Sequence, residues 1–171
     1  MRRTICVALA LLLMISCFVS CGTSKSIPED TGCETILNAV RSVEDSSDNE
    51  KLYLKSEDNL DALSMGLWAD GLYEECKELE LLSDYAIFLG AGVKTYEITI
   101  LKAKTKGDVA TIVDLIERRK KTLELGDKGM YDPDFELRMS NSVVYKDGLF
   151  VMLLITEDND AAIKAIEQLK E

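Results

Sequence analysis

From Cys33 onward, apolar side chains recur at helical spacing, with Cys33, Ile36, Leu37, Val40 and Val43 on one stripe. Thr31-Gly32-Cys33-Glu34 at its start fits a capping box, where a hydroxyl and a carboxylate three residues apart satisfy free amides. Residues 44–50 hold acids and no apolar member, which predicts a solvated loop. Residues 60–82 are apolar at mixed spacing and predict two short helices broken near Gly71. The pattern then changes. Tyr85-Ala86-Ile87-Phe88-Leu89 and the stretch 96–104, with Tyr96, Ile98 and Ile100 alternating against Glu97 and Thr99, predict two strands joined by a glycine-containing loop. Asp108 opens a helix whose stripe runs through Val109, Ile112, Val113, Ile116 and Leu123 to Gly126 just past its end. Asp147-Gly148, flanked by 142–146 and 149–156, is a strong hairpin signal. A last helix places Ala162, Ile163, Ile166 and Leu169 inward.

After residue 84 the order is strand, strand, helix, strand, strand, helix. This predicts an α+β fold: a four-stranded, mainly antiparallel sheet (ββαββα) with both of these helices on one face and the N-terminal helices covering the other. Residues 149–155 are apolar without alternation, so that strand needs cover on both faces.

Ahead of this domain, Met1-Arg2-Arg3-Thr4 is basic and residues 5–15 are all apolar. This is the n-region and h-region of a signal peptide, too short for the roughly 20 residues of a spanning helix. Phe18-Val19-Ser20-Cys21-Gly22 resembles the lipobox of bacterial lipoproteins, in which a small residue precedes a cysteine that is diacylated and becomes the mature N-terminus. Ser20 and Cys21 match that pattern, and Phe18 stands where an aliphatic residue is usual. Met14-Ile15-Ser16-Cys17 is a second match upstream. The alternatives are an ordinary signal peptide cut after Gly22 and an uncleaved anchor. The expected division is a lipoprotein signal peptide at 1–20, a flexible tether at 21–29 and one α+β domain at 30–171.

Charge narrows the partners. With 20 basic residues against 31 acids the net charge is −11, and loss of Arg2 and Arg3 with the leader makes it more negative. Phosphate backbones are repelled, so no nucleic acid is expected, and anionic headgroups are repelled as well. The diacylglyceryl group on Cys21 is therefore the expected hold on the membrane, on its extracytoplasmic side. The chain has no histidine, which removes Ser-His-Asp and Cys-His catalysis and the commonest zinc sites.

The remaining motifs carry little chemistry. Gly90-Ala91-Gly92 follows a strand but leads into another strand, where a phosphate site would need a helix N-terminus. The acidic loop lacks the Gly and Glu spacing of an EF-hand. No cofactor is expected. Cys33 and Cys76 allow one disulfide, with buried reduced thiols as the alternative that the apolar stripe around Cys33 favours. Trp68, Asp70 and Tyr73 together resemble a sugar-stacking set, against the simpler reading of core packing. Arg118-Arg119-Lys120-Lys121 is the densest basic run. It would meet an acidic partner or wall polymer, or simply complement a helix C-terminus.

The chain also resembles a family of bacterial lipoproteins known as a domain of unknown function, numbered 4358. The likeness rests on the lipobox-like start, Asp84-Tyr85-Ala86-Ile87-Phe88, the stretch from Tyr96 to Lys104, the helix ending in Glu117-Arg118-Arg119, and Asn141-Ser142-Val143-Val144 through Asp147-Gly148 to Ile155-Thr156-Glu157-Asp158. It spans roughly residues 30 to 170. The resemblance implies a single lipoprotein domain and carries no catalytic residues. The resulting expectation is a non-catalytic binding or accessory module of the cell envelope, with an unidentified envelope protein or polymer as partner. The alternative is a small envelope hydrolase using paired carboxylates such as Asp70 and Glu74.

Overall fold

The computed structural model describes residues 25–44, 50–55, 60–90, 94–126 and 132–170. The leader with Cys21, residues 45–49 of the acidic loop and the Ala91-Gly92 part of the glycine loop lie outside the described residues. The helices are α1 (Cys33–Val43), α2 (Ala62–Asp70), α3 (Val109–Leu125), α4 (Phe135–Asn141) and α5 (Asn159–Glu167). The strands are β1 (Glu50–Lys55), β2 (Leu82–Gly90), β3 (Glu97–Ala103), β4 (Val143–Asp147) and β5 (Phe150–Ile155).

All strand pairs are antiparallel, in the order β1-β2-β3-β5-β4. The sheet thus has five strands where the sequence predicted four. The extra one, β1, begins inside the acidic stretch at Glu50, and its pairing comes from the free edge of β2, with Lys55 opposite Ala86. A short segment between charged neighbours gives too few alternating positions to announce itself. The expected hairpin forms around Gly148, whose φ of 56° suits a residue without Cβ, and sets Asp147 opposite Phe150.

Side-chain alternation splits the core in two. Tyr85, Ile87, Leu101, Ala103, Val151 and Leu153 pack against α2, α3 and α4. Ala86, Phe88, Ile98, Ile100, Met152 and Leu154 pack against α1 and α5. Interior strand β5, one in from the edge, is therefore buried on both faces, as its apolar run required. The assignment of helices to faces is a correction: α3 and α5 lie on opposite sides, each with one N-terminal helix beside it. An amphipathic stripe dictates that a helix buries one side, and it is silent on which face of the sheet receives it.

Two local expectations change. The N-cap of α1 is Gly32, with no side-chain cap from Thr31. Instead the Cys33 N–H donates to Asp84 Oδ2 at 2.7 Å, so the cap comes from β2. Ile27, in the expected tether, is only 2% exposed. Its N–H donates to Asp147 Oδ1 at 2.9 Å, while Asp147 Oδ2 meets Lys170 Nζ at 2.8 Å. Lys170 also donates to the Tyr145 hydroxyl at 2.8 Å.

Cys33 and Cys76 are free thiols in different cores, Cys33 at the start of α1 in one and Cys76, after the return along α2, in the other. Burial pushes the Cys33 thiol up, helped by Asp84. Burial, with Glu78 alongside, pushes Cys76 up to about 11.

Candidate functional site

Helix α2 is apolar nearly all round, and a helix of that kind is normally enclosed. Here one side is buried through Met65, Trp68 and Ala69, while Leu63 and Leu67 are 50% and 38% exposed. Asp61 caps its start by accepting from the Ser64 N–H at 2.7 Å. Gly71 ends it in the left-handed region, φ 71°, with its N–H donating to the Leu67 carbonyl.

The chain then doubles back along the helix. The Cys76 N–H donates to the Ala62 carbonyl at 3.1 Å. A Cβ on Gly66 would stand 1.9 Å from the Glu74 carbonyl oxygen and 3.4 Å from that of Leu72. Glycine at 66 is thus the condition for residues 72–74 to lie flat on α2. On this return Leu72 is 53% exposed and Tyr73 75% exposed. Helix α2 and the segment laid against Gly66 thus both carry apolar side chains in solvent, together a solvent-facing apolar strip.

Beneath the strip lies a polar network that holds α2 to α3 and β3. Glu97 shares a sheet face with Thr99 and Leu101 and is 1% exposed. Arg119 grips its carboxylate with Nη2–Oε2 at 2.7 Å and Nε–Oε2 at 3.0 Å. Thr99 Oγ1 donates to Oε1 at 2.8 Å, and Trp68 Nε1 donates to the same oxygen at 3.3 Å. Arg119 Nη1 donates to the Trp68 carbonyl at 2.8 Å, and Thr122 Oγ1 donates to that of Ala69 at 2.6 Å. Carbonyls at the end of α2, which no helical amide can reach, are thus closed off by α3 side chains. A buried carboxylate with this many donors and a forked arginine is a structural fastener.

Arg118 continues the seam, with Nε 3.0 Å from Asp70 Oδ1 and Nη1 2.8 Å from Glu78 Oε1. The Arg118 hydrogen bond holds the Glu78 carboxyl below its ordinary value.

The residues singled out in the sequence are therefore dispersed. Trp68 faces the core, Asp70 is held by Arg118, and Tyr73 points to solvent, so they form no joint sugar-stacking surface. Asp70 is in an ion pair with Arg118, and Glu74 is an exposed side chain on the returning segment. The basic run divides, with Arg118 and Arg119 turned into the α2 seam and Lys121 exposed. Lys120 lines a groove between α3 and α4 beside Glu124 and Glu136. Sequence reasoning missed the strip. Its one visible signal was a glycine inside a helical stretch, where that residue costs about 1 kcal/mol unless close approach requires it.

A second concavity of about 510 Å³ opens between α4 and the start of α5, lined by Asp134, Arg138, Glu157, Asp158 and Asp160 among others. Arg138, 9% exposed, reaches Glu157 at 2.9 Å and Asp132 at 3.6 Å, so its charge is already answered. Its hydrogen bond to Arg138 holds Glu157 below the ordinary carboxylate value.

Among the described residues no helix is long and apolar enough to cross a membrane. No curated protein and no solved structure matches the chain. Residues 79–156, from the turn before β2 to just past β5, match the model of a family described as a domain of unknown function (DUF4358).

Proposed function

We propose that this protein is a lipid-anchored, extracytoplasmic binding module of a bacterial cell envelope, working by contact and not by catalysis. The observation that carries the reading is the exposure to solvent of Leu63, Leu67, Leu72 and Tyr73, all on α2 and the segment that returns along it. Two features support it. The lead-in to the domain, at Ile27, packs on the α1 and α5 side of the sheet, opposite α2. A lipid on Cys21 would thus hold the domain through one side and leave the strip free on the other. The carboxylates Asp61, Glu78, Asp132 and Glu157 are all held below their ordinary values, whereas a general acid at neutral pH needs a raised one.

The anchor is tested by substitution and mass. Wild-type protein is expected in the membrane fraction, with a mature N-terminal cysteine carrying a diacylglyceryl group. Cys21→Ala is expected to lose that modification and leave the membrane fraction. Retention of Cys21→Ala with an intact leader, or wild-type protein lacking the lipid, overturns the anchored reading.

A further inference from the structure

We infer that the domain stands end-on to the bilayer, with the tip of the β4–β5 hairpin toward the lipid headgroups and the concavity between α4 and α5 turned away, an assignment that rests on the anchored reading above. The strand registers define the two ends. Leu82 lies opposite Ala103, and both Lys102 and Asp147 lie opposite Phe150, at one end of the sheet. Glu97, opposite Leu89 and Ile155, marks the other. The lead-in is seated along the first end. The Ile27 N–H meets Asp147 at 2.9 Å, Glu29 Oε1 lies 3.5 Å from Lys106 Nζ, and the Thr31 carbonyl accepts from Lys102 Nζ at 3.2 Å. With Cys33 on Asp84, the chain passes from β4 to β2 at the hairpin end before α1 begins.

Reach then restricts the pose. Residues 22–26 are all that separate Cys21 from Ile27, and even fully extended that stretch spans about 20 Å. β5 alone puts about 17 Å between the two ends, and the concavity lies beyond it. Bringing the concavity down to the headgroups would draw the connecting segment to its limit. Charge points the same way. At the hairpin end Lys106 faces Glu29 and Lys170 faces Asp147, so cations and acids answer one another. The concavity is lined by Asp134, Glu157, Asp158 and Asp160 against Arg138, and acids still prevail when Lys94, 3.6 Å from Glu157, is counted. Anionic headgroups repel that end.

The test uses the full-length lipidated chain in vesicles of phosphatidylcholine, or of phosphatidylcholine mixed with phosphatidylglycerol, with a quencher on the lipid headgroup. A fluorescent residue is placed at Lys104 or Lys146, exposed at the hairpin end, or at Leu137 or Asn141, exposed on the wall of the concavity. Quenching at Lys104 and Lys146 is expected to exceed that at Leu137 and Asn141 several-fold, and by more on the anionic vesicles. A Gly-Ser insertion between Ser24 and Lys25 that doubles the reach leaves the folded part untouched and is expected to narrow the difference. Equal quenching at the two ends, stronger quenching at Leu137 and Asn141, or a difference that the insertion leaves unchanged overturns the end-on pose, and the anchor stands as long as the chain floats with the vesicles. A chain that floats with neither vesicle overturns both.

Discussion

The two faces of the sheet are closed in different ways. Under α1 and α5 the core is almost purely apolar, with Ile36, Leu37, Phe88, Ile98, Ile100 and Met152 essentially inaccessible. Under α2 and α3 a carboxylate and a guanidinium are sunk into the layer, and the helix above them keeps apolar side chains in solvent. The interior of the first face gains its stability from apolar packing, with its polar links at the margins. The second accepts the desolvation of charged groups to fix one short helix in one position, since a buried ion pair is seldom the most stabilising way to fill a core. That contrast places the rigid support and the presented surface on opposite sides of one sheet.

Removing one partner of the buried pair is the harshest way to probe the contrast. Arg119→Met strands Glu97 and is expected to cost about 3–5 kcal/mol in urea unfolding, whereas Glu97→Leu combined with Arg119→Met recovers most of it. A double variant as unstable as the single would show that the seam is worth more than its desolvation.

Gly66→Ala comes next. Its methyl group collides with the Glu74 carbonyl, so a loss of about 1–3 kcal/mol is expected, together with faster hydrogen exchange confined to residues 71–76. On the other face, Asp84→Ala removes the carboxylate that caps α1 and is expected to cost about 0.5–2 kcal/mol by the same measurement.

A pH series separates the seam from the apolar face. Because Arg118 holds Glu78 below its ordinary value, their pair stabilises the fold above about pH 4.3, the unfolded carboxylate range. That contribution fades as pH falls through the lower folded value. Glu78→Gln is expected to be less stable than wild type near neutrality, with the gap closing on acidification. A gap independent of pH would assign the effect to packing. The smallest effect belongs to the strip: Leu63→Ser with Leu67→Ser is expected to change stability by less than about 0.5 kcal/mol per site while abolishing partner contact.

Local signals in the sequence read well, and distant pairings did not. Asp147-Gly148 announced the β4–β5 hairpin, and the apolar stripe with Gly126 beyond it announced α3, because turn chemistry and periodicity are written within a few residues. Nothing near Thr31 could show that the cap of α1 would come from Asp84. Arg118 and Arg119 read as a solvated helix end because their partners Asp70, Glu78 and Glu97 arrive from other elements. Trp68 was legible as core. The strip was not, since its contiguity depends on residues 72–74 folding back over Gly66.

Asp147 has a mechanical consequence. One carboxylate grips the backbone at Ile27 and the ammonium of Lys170, so the entering chain and the segment just past α5 are clasped at the tip of a single hairpin. Tension drawn through the N-terminal end would reach that clasp before it reached α1. It would then spread into β4 and β5, where interstrand bonds share the strain, so the domain resists being peeled open from that end.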